Sequence, residues 1–138
     1  MDKIYHHRFA ATIEALCETM REVEKFLQAE SVPESVSFVI TLSLEEIVSN
    51  TIKYGCKNSR QYLIEIRVAV RPGEVALEIV DDAQAFNPLS VSEPDTTLSP
   101  EERPIGGLGI HLVKTLADQC SYERIGNKNR MYITKKTG

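Results

Sequence analysis

Three groups of residues in this 138-residue chain have the types and the spacing needed for phosphate chemistry. The first is a glycine cluster, Gly106-Gly107-Leu108-Gly109, which directly precedes a segment with the apolar spacing of a helix. Glycines let the backbone turn without a Cβ clash, and the free N–H groups at the start of a helix attract anions. The cluster therefore predicts a phosphate-binding loop, whereas a lone Gly-x-Gly is more often a flexible loop before a helix.

The second group is an acid and an amide on a helix that the sequence predicts over residues 33–54. At about 100° per residue, one face of this helix is apolar and is expected to pack on the core. The members of that face are Val36, Val39, Ile40, Ser43, Leu44, Ile47, Thr51 and Tyr54. Glu46 and Asn50 lie one turn apart at its edge, while Glu45 points to solvent. Such a pair could provide a Mg²⁺ ligand and a general base, or could simply mark the boundary of the core face.

The third group is a single carboxylate at the end of a predicted β-hairpin. Two alternating segments, residues 62–70 and 75–82, flank a turn with a Pro-Gly pair. The period of two puts Asp81 on the apolar face of the second segment and Asp82 on the opposite face. Because a buried carboxylate is costly without a donor, Asp81 is expected either to bind a ligand amine or to cap the next loop.

Two periodic segments precede these groups and would help to position them. Weak alternation predicts an edge strand over residues 4–9, in which His6 and His7 face opposite sides and are interpreted as surface residues. An amphipathic helix is predicted over residues 12–28. Its apolar stripe consists of Ile13, Leu16, Cys17, Met20, Val23 and Leu27.

Short local signals predict where the other elements begin. Residues 31–34, with Ser first, Pro third and Glu last, have the form of a capping box that starts the second helix. A third helix follows the glycine cluster, and residues 120–125 and 130–135 are predicted as two short strands around a turn at residues 126–129. Residues 83–106 show no periodicity and hold four of the six prolines, which favours a functional lid over a disordered insertion.

Composition limits the class of protein. A chain of 138 residues with 42% hydrophobic content predicts one globular domain, and a net charge of −4 without a basic run argues against nucleic-acid binding. The three cysteines are far apart and form no Cys-x-x-Cys pair, so they are expected to be buried thiols rather than disulfide or zinc ligands. No apolar leader or membrane span is evident, and a cytoplasmic location is expected.

In their order along the chain, these parts resemble the GHKL ATP-binding superfamily of gyrase and histidine kinases. The resemblance rests on Glu-x-x-x-Asn in a helix that ends in Tyr-Gly, a strand that ends in Val-Asp-Asp-x-x-x-Phe-Asn-Pro, a proline-rich lid, and Gly-Gly-Leu-Gly-Ile before a helix. More closely, the chain is similar to the small anti-sigma-factor serine kinases of the RsbW and SpoIIAB kind, over about residues 9–136.

The resemblance implies an α+β fold, a two-layer sandwich with helices on one face of a mixed, mainly antiparallel sheet, and a nucleotide between the helices and the lid. It also implies roles for single residues: Asn50 would hold Mg²⁺, Glu46 would be the general base, and Asp81 would accept the adenine amino group. The phosphates would lie against three residues of the glycine cluster, Gly107, Leu108 and Gly109.

Kinases of this family use ATP to phosphorylate a Ser or Thr of a partner that resembles an anti-sigma factor antagonist, and they also bind a sigma factor. The resemblance therefore implies an ATP- and Mg²⁺-dependent serine/threonine kinase with such protein partners, and a homodimer. Two alternatives stay open at this point. One is a non-catalytic, nucleotide-responsive binding module, and the other is a free-standing catalytic domain for a histidine phosphotransfer partner.

The chain departs from the family pattern near the expected nucleotide. Ala83 and Ala85 stand where the family has the two glycines of Asp-x-Gly-x-Gly, and both remain candidate nucleotide contacts that favour the non-catalytic alternative. Asn-Lys-Asn-Arg at residues 127–130 occupies the region of a Gly-Thr-Thr motif that supports the adenine-binding Asp. Arg103, close to the glycine cluster, is a candidate contact to phosphates and to the partner.

Overall fold

Five strands and three helices form two layers in the computed structural model, which describes residues 2–56, 60–90 and 108–138 and only the backbone of Leu108. The strands are β1 (Lys3–Ala10), β2 (Leu63–Arg71), β3 (Glu74–Asp81), β4 (Gln119–Ile125) and β5 (Lys128–Lys136). The helices are α1 (Ile13–Ala29), α2 (Glu34–Asn50) and α3 (Leu108–Leu116). A π-helical turn at Thr51–Gly55 continues α2, and a 3₁₀ turn at Pro88–Ser90 follows β3.

The sheet has the order β1-β2-β3-β5-β4, and all four of these pairings are antiparallel. The predicted α+β sandwich is confirmed, and the sheet, expected to be mixed, is antiparallel throughout the described residues. Strand β1 lies at one edge, as its weak alternation predicts. Within it, His6 bonds to Glu65 on the neighbouring strand, and the His7 ring stacks on Phe9 at 5.7 Å.

The core lies between the sheet and the helices, because alternate residues of each strand face the helical layer. The largest fully buried side chains come from the three helices and the three inner strands: Val23, Leu27, Ile40, Leu44, Ile47, Val48, Ile64, Ile66, Leu77, Ile79, Ile110 and Ile133. The face predicted for α2 is confirmed from Val36 to Thr51, and Glu45 is exposed. No helix within the described residues is long and apolar enough to cross a bilayer.

The apolar stripe predicted for α1 is partly wrong. Ile13 is 54% exposed and Cys17 is exposed, whereas Thr19 is buried. Thr19 tolerates burial because its hydroxyl donates to the carbonyl oxygen of Ala15 at 2.7 Å. The buried stripe is therefore rotated toward Thr19 and Val23.

The prediction that all three thiols are buried is also wrong, since Cys17 is exposed and Cys56 and Cys120 are only half-buried.

The capping box predicted at residues 31–34 is wrong. Ser31 lies in the left-handed region with φ 57°, and its N–H donates to the carbonyl oxygen of Gln28 at 3.0 Å. Val32 N–H likewise donates to the carbonyl oxygen of Leu27. Ser31 therefore closes the end of α1, and α2 begins at Glu34, after Pro33, which provides no side-chain cap. Only four residues separate the two helices, and Ser31 among them ends α1 instead of capping α2.

The predicted four-residue turn between β4 and β5 is also wrong. Ile125 pairs with Lys128, so the turn contains only Gly126 and Asn127. Gly126 has φ 59°, a conformation that tight two-residue hairpin turns require and that glycine adopts without strain. Asn129 is consequently a strand residue, and it pairs with Asp81 across β3 and β5.

Candidate functional site

Asp81 ends β3 on the face covered by the helices and is 5% exposed. Its Oδ1 accepts two hydrogen bonds, from Ala83 N–H and from Asn129 Nδ2, both at 2.9 Å. No donor in the described part of the chain reaches Oδ2. Oδ1 thus caps the following loop, which is one of the two roles predicted for Asp81. Oδ2 can still accept a hydrogen bond from a ligand amine. Asp82 points to the opposite face, as predicted, and accepts from Leu63 N–H at 2.9 Å.

The surroundings of Asp81 act on its pKa in opposite directions. Burial raises the pKa of this carboxyl above its usual range, and the charge of Asp82 raises it further. The hydrogen bonds from Asn129 and Ala83 and the nearby guanidinium of Arg124 lower the pKa, without cancelling the effect of burial. The ionised carboxylate, the form that accepts a bond from an amine, therefore depends on these donors.

Ala83 replaces a family glycine, and its methyl group packs against Gly55 at the end of the π-helical turn. Ala83 is 2% exposed, and a Cβ built on Gly55 would lie 3.1 Å from the Ala83 Cβ. Gln84 N–H donates to the carbonyl oxygen of Gly55 at 3.1 Å, which fixes the loop to the helix end. The helix predicted to continue to residue 54 thus changes at Thr51 into a wider turn that meets this loop. Ala85 is exposed.

Glu46 and Asn50 lie at the edge of the apolar face of α2, as helix periodicity predicts. Asn50 is 9% exposed, and Glu46 is half-buried against α3. Burial raises the pKa of Glu46, and the negative charge of Glu45 adds to the effect. A raised pKa moves a carboxylate toward the range in which a general base is effective at neutral pH.

Gly109 lies inside α3, not in the loop before it, which corrects the predicted extent of the glycine loop. A Cβ built on Gly109 would overlap the carboxylate of Glu46, so this position accepts only glycine while Glu46 keeps its place. Leu108 begins the helix. Gly107 and Arg103, both predicted to contact the nucleotide, lie outside the described residues.

The predicted lid begins as an anchored segment. Phe86 N–H donates to Asn129 Oδ1 at 3.3 Å, and the ring of Phe86 lies 5.6 Å from that of Tyr54. The 3₁₀ turn at Pro88–Ser90 then reaches α3, where Lys114 Nζ donates to the carbonyl oxygen of Leu89 at 3.4 Å. The rest of the predicted lid, residues 91–106, lies outside the described residues.

Asn129 is a site residue that sequence reasoning missed. It is 4% exposed and contacts Asp81, whereas the sequence predicts a turn at residues 126–129 and shows residues 127–130 only as a departure from the motif that supports this Asp. The missing signal was the tight turn at Gly126, because a two-residue turn moves residue 129 into the strand and onto the face of Asp81.

The structure thus brings together two sets of residues. Asp81 bonds to Ala83 and Asn129 at the end of the sheet, with Gly55 against Ala83, and Glu46 meets Gly109 between α2 and α3. Helix α2 and its π-helical continuation carry one member of each set.

Comparison with known proteins identifies the family to which the chain belongs. Residues 9–135 match the histidine kinase-like ATPase domain. The chain belongs to this family. A serine/threonine-protein kinase BtrW of Bordetella bronchiseptica is 25% identical over 97 residues, covering 70% of this chain and 68% of that protein. An anti-sigma F factor of Clostridium botulinum is 31% identical over 99 residues, with the same coverage of both chains.

A solved structure also shares the fold of this histidine kinase-like ATPase domain. The RsbU and RsbW domains of Rv1364c from Mycobacterium tuberculosis match with a TM-score of 0.67 at 15% identity, over 96% of this chain. This chain spans 32% of that longer chain. The match, with the family assignment, confirms the resemblance and the fold predicted from the sequence.

Proposed function

We propose that this histidine kinase-like ATPase domain is an anti-sigma regulatory factor that binds ATP and phosphorylates a Ser or Thr of an anti-sigma factor antagonist-like protein. The observation that carries the proposal is Asp81, a buried carboxylate with one oxygen held by the protein and the other facing no donor in the described residues. Relatives named as a serine/threonine-protein kinase and as anti-sigma F factors support the same conclusion. A sigma factor is proposed as a second partner.

Each site residue has a separate task in the proposed reaction. The Asp81 carboxylate accepts a hydrogen bond from the exocyclic amine of adenine. Asn50 presents a carboxamide oxygen, a ligand type suited to Mg²⁺, and a bound Mg²⁺ would neutralise phosphate charge. Glu46 accepts the proton of the substrate hydroxyl while that oxygen bonds to the γ-phosphorus. The bond from this phosphorus to the bridging oxygen of the β-phosphate breaks, and ADP leaves.

Residues 83–106 are proposed as the lid of this site. Their first residues come two positions after Asp81 and are fixed to Gly55 and Asn129, so the segment starts at the adenine end. Helix α3, which carries Gly109 against Glu46, follows the segment in the chain and marks the phosphate end. Gly107 and Arg103 are proposed as phosphate contacts within the same stretch of sequence.

The test is transfer of label from radiolabelled ATP to an antagonist-like protein in the presence of Mg²⁺. We expect acid-stable label, because phosphoserine and phosphothreonine resist acid whereas phosphohistidine does not. Glu46→Gln should lower the transfer rate by about 100-fold or more, since it removes the base. Glu45→Gln, one residue away and exposed, is the matched control and should retain transfer at neutral pH.

The same assay tests the non-catalytic alternative, which the alanines at the glycine positions favour. ATP binding without label on the antagonist would contradict the kinase and support a nucleotide-responsive binding module. The burial of the Ala83 methyl group against Gly55 supports the catalytic reading, because this methyl group is accommodated by the helix end.

A further inference from the structure

Asn129 lies in residues 127–130, where the chain lacks the Gly-Thr-Thr motif that supports the adenine-binding Asp in the resembled family, so the family pattern assigns this asparagine no role. It lies directly opposite Asp81 in the β3–β5 ladder, and directly opposed residues of an antiparallel pair place their side chains on the same face. At 4% exposure its carboxamide is buried, so each of its polar atoms requires a partner.

The orientation of this carboxamide is fixed by five hydrogen bonds. Nδ2 donates to two acceptors, Asp81 Oδ1 at 2.9 Å and the carbonyl oxygen of Gln84 at 3.0 Å. Oδ1 accepts from Phe86 N–H, Arg124 Nη1 and the Tyr122 hydroxyl. A flipped amide would set oxygen against two acceptors and the NH₂ group against three donors, so only one orientation is compatible with the neighbours.

The geometry points to Asn129 as a positioning residue for nucleotide recognition, which holds Asp81 Oδ1 so that Oδ2 faces the amine of the base. The inference rests on the proposed function, because it assumes that Asp81 binds a nucleotide. The amide gives the buried carboxylate a neutral donor. A cationic donor at this point would form an ion pair with Asp81 and weaken the attraction of the carboxylate for the amine of the base.

The charges around Asp81 explain why a donor is needed there. Asp82 follows it in the chain and disfavours its ionised form, and the half-buried Cys56 thiol also feels the charge of Asp81. Arg124 on β4 favours the ionised form, but its guanidinium donates to Asn129 and to the carbonyl oxygen of Ala83 at 3.0 Å. Arg124 thus acts on Asp81 directly through its charge and also holds the Asn129 amide through a hydrogen bond.

Two variants separate positioning from folding. Asn129→Ala removes the donor, and Asn129→Asp keeps the shape but replaces the donor with a carboxylate. Asn127→Ala, an exposed residue in the adjacent turn, is the matched control. The first measurement is the titration of the Asp81 carboxyl carbon by NMR in the nucleotide-free protein, and the second is calorimetric titration with ATP.

We expect the Asp81 midpoint to rise by about one pH unit in Asn129→Ala, and by more in Asn129→Asp, where two carboxyls share one proton. ATP affinity at neutral pH should fall by about tenfold in Asn129→Ala. In Asn129→Asp it should recover as the pH falls and the pair takes up a proton, which a purely structural defect would not produce. Asn127→Ala should match the wild type in both measurements.

The outcomes separate the inference from the proposed function. An unchanged Asp81 midpoint in both variants would overturn the positioning role, even if the wild type binds ATP. If the Asp81 midpoint shifts in the variants but the wild type does not bind ATP, the proposed function is contradicted. The control of Asp81 by Asn129 would then still be established. If Asn129→Ala does not fold, Asn129→Asp alone decides, because it preserves the volume of the side chain.

Discussion

At the scale of single residues, Gly109 lacks a side chain at the point where the Glu46 carboxylate lies. A glycine to alanine change in a helix ordinarily stabilises a protein by about 0.5–1 kcal/mol. At position 109 the added methyl group would overlap the Glu46 carboxylate, and overpacking of this kind costs about 1–3 kcal/mol. The steric cost is therefore expected to exceed the gain in helix propensity.

We predict that Gly109→Ala lowers the free energy of unfolding and the phosphotransfer rate, because Glu46 must leave its position. Glu46→Ala in the same chain should restore most of the lost stability but none of the activity. Urea unfolding of the wild type, both single variants and the double variant measures the coupling. Additive free energies would show that the two residues do not compete for space.

Glu45 gives a second prediction at this scale, on pH dependence. The general base acts when ionised, so the transfer rate should fall as the pH decreases through the raised pKa of Glu46. Glu45→Gln removes a like charge and lowers the pKa of Glu46, which should move the acid limb of the rate profile to lower pH. Glu24→Gln, an exposed change on α1, is the control. An acid limb at the same pH in Glu45→Gln and in the wild type would exclude Glu46 as the titrating base.

At the scale of elements, the junction of the π-helical turn with the loop after β3 decides how an alanine is accepted at a glycine position. Gly55 supplies the room that Ala83 occupies, since a Cβ on Gly55 would lie 3.1 Å from that of Ala83. We predict that Gly55→Ala lowers the free energy of unfolding by about 1–3 kcal/mol, because two methyl groups would compete for one space. Adding Ala83→Gly should relieve most of this cost in thermal and urea unfolding. Equal destabilisation with and without Ala83→Gly would contradict the account of this junction.

The elements also show what the sequence could predict and what it could not. Periodicity correctly placed Asp81 inside, Asp82 outside, and Glu46 and Asn50 at the edge of α2, since these positions follow from helix and strand geometry alone. The errors lie where local chemistry competes with pattern. Ser31 closes one helix instead of capping the next. Gly126 makes a tighter turn than expected, so Asn129 lies in a strand rather than in the predicted turn. A contact between helices, such as Glu46 with Gly109, has no periodic signal in the sequence.

At the scale of the whole molecule, the helices cover one face of the sheet, with Asp81 buried at the end of β3 and Glu46 of α2 against Gly109 of α3. We propose that these two groups belong to one nucleotide site. The order of motifs in the chain was sufficient to predict the two-layer architecture, and the family match and the shared fold confirm it. The central claim for the molecule is that this site recognises adenine through a buried, ionised Asp81. Such a carboxylate accepts from the amine of adenine and would face the carbonyl oxygen of guanine, which has no proton to donate.

The most direct test is a calorimetric titration of ATP and GTP, each with Mg²⁺, into the wild type, Asp81→Asn and the matched control Asp82→Asn. We predict that the wild type binds ATP much more tightly than GTP, and that Asp81→Asn weakens ATP binding by about tenfold or more, because it loses a charge-assisted hydrogen bond. Asp82→Asn, on the opposite face of the strand, should bind ATP as the wild type does. Equal affinity of the wild type and Asp81→Asn for ATP, or equal affinity of the wild type for ATP and GTP, would contradict the claim.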